Sequence, residues 1–224
     1  MQPRVLLDGL AMPESARWHD GRLWLSNWGT RQIVAVDLEG KSDVVGEGPD
    51  GLGWATNWLL DGRMLITGPE LIRVEPDGSR VRHADLSHIS PLGWSEITVD
   101  GRGNVYVNTI NFDFAEFNEV LESGKAPGRI ALVTGICLDA DGCIWTSSAT
   151  MAYDCARIRE GGEVLERIHL GRPCFATMLG GHDRRTLFML TADWRGTEAV
   201  ENVIEARTGQ VLAVDAPAPG VGWP

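Results

Sequence analysis

No apolar run in this chain approaches the length that crosses a bilayer, so a transmembrane helix is not expected. Positive charge is scarce too: 20 Lys and Arg stand against 31 Asp and Glu, a formal net charge of −11. A field of that sign repels phosphate backbones and anionic lipid surfaces, which argues against nucleic acid and membrane as partners. The opening residues, MQPRVLLDGLAMPES, lack the sustained apolar stretch of a signal peptide, and a cytoplasmic location is expected. Cys137, Cys143, Cys155 and Cys174 show neither a C-x-x-C spacing nor a histidine partner pattern, so reduced, half-buried thiols fit better than disulfides or a zinc site. The five histidines are scattered, with no H-E-x-x-H, and there is no G-x-S-x-G elbow. The Gly-rich GEGPDGLGW (46–54) has no P-loop lysine and reads as a connection between strands. Helical periodicity is nearly absent; only FAEFNEVLESG (114–124) would make a helical turn or two.

What is present is a repeat. WHDGRLWLSN (18–27), LLDGRMLITG (59–68), GRGNVYVN (101–108), LDADGCIWTSS (138–148) and HDRRTLFMLT (182–191) each place a tight polar turn before an apolar run. The turn residues Asp20, Asp61, Arg102, Asp141 and Arg184 recur at a spacing near forty. Asp and Gly tolerate the positive φ of hairpin turns, and the runs are rich in strand-forming residues. A trailing strand-like segment follows most markers, as in QIVAVDLEG (32–40), LIRVEPDG (71–78) and QVLAVDAPAPG (210–220), and often a fourth, as in SRVRHADL (79–86) and EVLERIHL (163–170). Short antiparallel strands in fours at such a period predict an all-β fold, a β-propeller of four-stranded blades, in one domain over 1–224. A β-sandwich is the rival, and would not need so regular a period. Wedge-shaped packing between blades assigns most of the nine tryptophans to the core.

One junction breaks the pattern. In GRIALVTGICLDADGCIW (128–145) the trailing strand RIALV runs almost directly into the next marker turn, with no outer strand between. The repeat length makes the deficit about 50 residues.

The stretch MPESARWHDGRLWLSNWGTRQIVAVDLEG (12–40) resembles the opening of the senescence marker protein/gluconolactonase/luciferin-regenerating-enzyme family, the regucalcin-like proteins. GWSEITVDGRGNVYVNTINFDF (93–114), GICLDADGCIW (135–145) and the segment 159–194 are similar to further segments of it. The resemblance implies a six-bladed propeller that binds a divalent cation at the mouth of its channel and hydrolyses sugar lactones or related esters. About five blades are then expected here, imperfectly closed, with about one blade missing between Thr134 and Gly135. The exposed RIALV edge would invite self-association.

The same resemblance implies three metal ligands, a Glu, an Asn and an Asp. Glu14, in P-E-S, matches the Glu. The Asn would lie on the missing blade, and the Asp, which by the resemblance would also act as the base, is here Thr134. A substrate-contacting Asn is here Ser95, followed by Glu96. Glu14 and Glu96 each stand six residues before their marker turns, Ser95 and Thr134 seven, so these side chains would reach similar depth at one channel mouth. Asn108 is a further channel candidate. A Glu14–Glu96–Thr134 cluster would hold a cation (Ca²⁺, or Zn²⁺, Mg²⁺ or Mn²⁺) weakly or not at all, since affinity rises with the number and charge of oxygen ligands. No catalytic residue is assigned. The expected function is a metal-dependent lactone or ester hydrolase, impaired in this chain, acting on a small lactone or sugar-acid ligand. The alternatives are an inactive propeller that binds a ligand or partner, or a truncated relative without independent function.

Overall fold

A computed structural model describes residues 2–109, 136–147, 154–194 and 200–221. Within them the marker turns fall where their chemistry placed them, each joining the first and second strands of an antiparallel sheet. Asp20 and Gly21 turn between β2 (Pro13–His19) and β3 (Arg22–Asn27) with φ of 47° and 74°. Asp61 and Gly62 join β6 (Thr56–Trp58) to β7 (Met64–Ile66). Arg102 and Gly103 join β10 (Ile97–Val99) to β11 (Val105–Val107). Asp141 and Gly142 join β12 (Ile136–Leu138) to β13 (Ile144–Thr146), and Arg184, with φ of 60°, lies between β16 (Cys174–Gly180) and β17 (Thr186–Thr191).

The trailing segments are the third strands: β4 (Gln32–Val36), β8 (Leu71–Val74), β14 (Asp154–Ile158) and β18 (Gly209–Asp215). β5 (Ser42–Glu47), β9 (Arg80–Ala84) and β15 (Val164–His169) are the fourth strands of three sheets. The last sheet takes its fourth strand from the other end of the chain: β1 (Arg4–Leu10) pairs antiparallel with β18, giving the order β1-β18-β17-β16. The propeller architecture is therefore present as five sheets among the described residues, four of them four-stranded and the third, β10–β11, two-stranded. The expected RIALV edge, the missing blade at Thr134–Gly135 and the helical turn at 114–124 all lie outside the described residues. A helix the sequence did not signal, α1 (Val200–Ala206), is too short for apolar periodicity to mark and is anchored by buried Val203.

The innermost strands pack side by side in the order β10–β6–β2–β16–β12. Among the described residues, four apolar cores lie between adjoining sheets. Phe188, Leu190 and Val211 of the last sheet meet Leu23, Leu25 and Val36 of the first. Trp18 stacks on Phe188 across that junction at 5.5 Å. Trp28 and Ile33 meet Trp54 and Ile66 between the first and second sheets. Leu65 and Leu71 meet Ile97 and Val99 between the second and third. Trp145, Cys155 and Ile168 of the β12–β15 sheet meet Cys174, Leu187 and Met189 of the last. The four cysteines are free, and three of them are fully buried rather than half-buried.

Two polar devices fix the β12–β15 sheet. Arg157 donates from Nε to Asp139 Oδ2 and from Nη2 to Asp141 Oδ2, both at 2.7 Å, tying the marker turn to β14. The segment after β18 then returns to it: Ala140 N–H donates to Pro219 O at 2.8 Å and Val221 N–H to Leu138 O at 3.0 Å.

The Gly-rich connection 46–54 has one position where glycine is required by space. A Cβ at Gly48 would sit 2.2 Å from Trp54 Cζ2, and Trp54 is 1% exposed. Gly48→Ala should lower stability by about 1–3 kcal/mol, the range of overpacking in a filled core. Urea denaturation checks it; an unchanged midpoint would mean that the Trp54 ring moves aside freely.

Candidate functional site

The five inner strands surround a cavity of about 520 Å³ on the ring axis. β2 supplies its most polar wall. Between Glu14 and Arg17 the pairing of β2 with β3 slips, and Ser15 takes a left-handed φ of 52°. That region is costly for a residue with a Cβ. The slip brings Ser15 and Arg17 to the cavity, together with Asn57 from β6, Glu96 just before β10, Asn108 just after β11 and Thr177 from β16.

The polar side chains are wired to one another. Ser15 Oγ donates to Glu96 Oε1 at 2.7 Å. Arg17 Nη2 donates to Glu96 Oε2 at 2.7 Å and to Ile97 O at 2.9 Å, while Nη1 donates to Ala16 O at 2.8 Å. Glu96 N–H donates to Asn108 Oδ1 at 2.8 Å. Glu14 lies one residue outside the cavity wall, 7% exposed, and accepts Ser15 N–H on Oε2 at 3.1 Å. Its burial, and after that the neighbouring Glu96 charge, hold its carboxyl well above the usual carboxylate range; Ser15 N–H and Arg17 pull less strongly the other way. Cys137 also lines the cavity, and burial pushes its thiol up to about 12, so it carries no thiolate at neutral pH.

Of the sequence candidates, Glu14, Glu96 and Asn108 are thus brought together around Ser15, with Glu96 and Asn108 on the cavity wall. Ser95 is not: its carbonyl accepts from Thr67 Oγ1 and its N–H donates to Asn108 O at 2.9 Å, a backbone role that joins the second and third sheets. Thr134 lies outside the described residues. Ser15 and Arg17 escaped the sequence reading. Nothing in P-E-S-A-R-W marked them, because the irregular pairing between Glu14 and Arg17 breaks the alternation that sorts strand side chains between faces.

A divalent cation does not fit the described residues. Both Glu96 oxygens accept internal hydrogen bonds, Asn108 Oδ1 is occupied, and the Arg17 guanidinium stands where it would repel an ion shared by Glu14 and Glu96. Among the described residues no group of three or more His, Cys, Asp or Glu is arranged to hold a metal.

At the far end of β2, His19 stacks on Trp58 at 3.9 Å and meets the edge of Trp24. Burial lowers its pKa, against a smaller opposing pull from Asp20. A histidine depressed in the fold favours the native state above its unfolded pKa of about 6.5, and that contribution is lost as pH falls toward the folded value. The unfolding temperature of the native chain should therefore drop more steeply between pH 7 and pH 5 than that of His19→Phe. Parallel slopes by calorimetry would contradict it.

Residues 122–193 match the SMP-30/gluconolactonase/LRE-like region. The chain is 24% identical to regucalcin from Danio rerio over 187 residues, 74% of this chain, and spans 61% of the length of that relative. Among solved structures, a calcium-binding protein, regucalcin, from Agrobacterium tumefaciens aligns over 99% of this chain and 95% of its own, with a TM-score of 0.67 at 15% identity. Luciferin-regenerating enzyme aligns over 99% and 98%, with 0.68 at 12%. A gluconolactonase from Xanthomonas campestris aligns over 96% and 90%, with 0.65 at 12%. At these identities the structural likeness is one of fold. The resemblance thus holds as a family region over residues 122–193 and, in fold, as the propeller; MPESARWHDG lies outside that region.

Proposed function

We propose that this chain, a relative of the SMP-30/gluconolactonase/LRE-like proteins, binds a small sugar lactone or sugar acid in its central cavity as a gluconolactonase-type propeller with impaired hydrolysis. The observation that carries the reading is the Ser15–Arg17–Glu96 triad on the wall of a cavity of about 520 Å³, a size suited to a small molecule. Arg17 is 13% exposed in its side chain and Glu96 39%, so the carboxylate is the more accessible of the two, and both side chains line the cavity. Glu96 accepts from hydroxyls, Arg17 orients a carbonyl or carboxylate oxygen, and Asn57 and Asn108 complete the polar wall. A sugar-derived ligand supplies many hydroxyls and one carbonyl group, which is what such a wall recognises.

Hydrolysis asks for more: a water stripped of a proton and a donor for the developing oxyanion. Both Glu96 oxygens are already engaged, one by Ser15 Oγ and the other by Arg17, so the carboxylate is poorly placed to take a proton from water. This favours binding over turnover, and an inactive ligand-binding module is the second reading. The metal dependence implied by the resemblance finds no support in the described donors. The free cysteines support a reducing, cytoplasmic setting.

Calorimetric titration with gluconate and with gluconolactone tests the reading. Binding is expected in the native chain and lost in Arg17→Met. A silent titration with both ligands would overturn it.

A further inference from the structure

The Ser15–Arg17–Glu96 triad and Asn108 gather at one end of the central cavity. Ser15 stands near the start of β2, Glu96 just before β10 and Asn108 just after β11, and hydrogen bonds hold them together. The other end has a different character. Leu138 closes β12, Leu179 stands one residue before the end of β16, and the segment after β18 returns beside them. Val221 N–H donates to Leu138 O at 3.0 Å, and Gly220 N–H to Arg184 O at 2.8 Å. A Cβ at Gly220 would sit 2.6 Å from Leu179 Cβ, so the returning backbone lies directly on β16. These residues line the same cavity as Ser15 and Glu96.

Leu138 and Val221 keep accessible side chains there, 45% and 41% exposed, although the backbones of both are tied down. Met178 and Trp18, half-buried, continue the apolar wall, and Thr177 beside them turns its hydroxyl to Trp145 O at 3.4 Å. Along β16 the lining runs from Ala176 to Leu179, about 10 Å at the rise of a strand. A bare polyhydroxylated ligand suits one end only. Its hydroxyls would lose water against aliphatic side chains that cannot replace it, which costs free energy for each unpaired group. An apolar substituent has the opposite balance, since it covers side chains that are otherwise wet. The cavity of about 520 Å³ lies within the about 300–1,000 Å³ of pockets that hold drug-sized molecules, so it has room for both parts.

We infer that the cavity takes a two-part ligand: a hydroxylated lactone or acid head at the Ser15–Arg17–Glu96 end, and an apolar alkyl or aryl substituent against Leu138, Met178 and Val221. The inference rests on reading the polar wall as a sugar-acid site, and it adds the substituent to that ligand. Selectivity then divides between the ends. The polar wall fixes which way round the ligand lies, and the apolar end sets which substituents are held, with Leu138 as the residue that decides between them.

Calorimetric titration of the chain with gluconamide and its N-ethyl, N-butyl and N-hexyl derivatives tests the inference. Affinity should rise about two- to fourfold for each methylene buried. Leu138→Asn should weaken N-hexyl gluconamide at least about tenfold more than it weakens gluconamide. If that variant fails to fold, nuclear Overhauser contacts in the unaltered chain serve: the hexyl protons should reach the Met178 methyl, and their absence would overturn the inference. Gluconamide binding with the same affinity across the series would overturn it too, and would leave the sugar-acid reading standing. 1-Hexanol binding as tightly as N-hexyl gluconamide, with Arg17→Met indifferent, would keep the apolar end but overturn the sugar-acid reading, and the two-part ligand with it. A silent series would overturn both.

Discussion

Hydrolysis of a gluconolactone-type substrate by this chain should run at least about 10²–10⁴-fold below that of a relative that keeps its general base, the range a positioned proton acceptor contributes. Three features of the chain lead there, one of sequence and two of the cavity. The position where the resemblance implies an acidic base holds Thr134. Glu96, the carboxylate on the wall, spends one oxygen on Ser15 and the other on Arg17. Cys137, the thiol on the wall, is held protonated by burial. A chelator should leave the residual rate unchanged, since the donors that would bind a cation are committed to one another. Thr134→Asp alone should not restore turnover, because Glu96 and Arg17 remain paired. Ordinary enzymatic rates that vanish with a chelator and with Glu14→Ala would show instead that a metal displaces Arg17 and that Glu14, Glu96 and Thr134 act together.

Deleting residues 2–10 should abolish cooperative unfolding. β1 is the outer strand of the sheet that joins the two ends of the chain, and it buries Leu6 at 8% and Leu10 at 5% in the core between the last and first sheets. Each buried leucine contributes about 2–5 kcal/mol by truncation to alanine. Losing both, with a strand's worth of hydrogen bonds, removes most of the about 5–15 kcal/mol that holds a domain together. β18 would also become an unpaired edge beside an open core. Leu10→Ala is the milder form and should cost about 2–5 kcal/mol in urea. A truncated chain with the native midpoint would show that β1 is an ornament on a sheet already stable.

The local parts of this structure were legible and the distant ones were not. The five turns could be read because a hairpin turn is decided by its own residues, as Asp20–Gly21 and Asp61–Gly62 illustrate. The third and fourth strands followed because alternation is a short-range signal. β1 went unread as the partner of β18, since nothing in RVLLDGL says which edge it will find some two hundred residues away. The site divides in the same way. Glu14 stood out from its immediate context, P-E-S. Arg17 did not, because its meaning lies in Glu96, 79 residues further on, and pairing across that span is a property of the fold. Asn108 was picked for its position after a strand, but its task, holding the Glu96 amide, depends on a hydrogen bond between neighbouring chain segments. Ser95 failed as a channel residue because the backbone, not the side chain, makes its contacts.

The pairing of Arg4–Leu10 with Gly209–Asp215 also sets a timetable. On the ribosome, residues 4–10 must wait for residues 209–215 to emerge before they have a partner. At the usual rate of about 5–20 residues per second that wait is on the order of 10–40 s, with Leu6 and Leu10 in water throughout. The earlier sheets, built from neighbours in sequence, can form as they emerge. The β1-β18-β17-β16 sheet cannot, so the nascent chain spends that interval as an open arc with β1 unclaimed. Its capture by a holding chaperone, or by the free β18 edge of another nascent chain, competes with closure. Refolding from denaturant meets the same long-range step, and it should be the slow one.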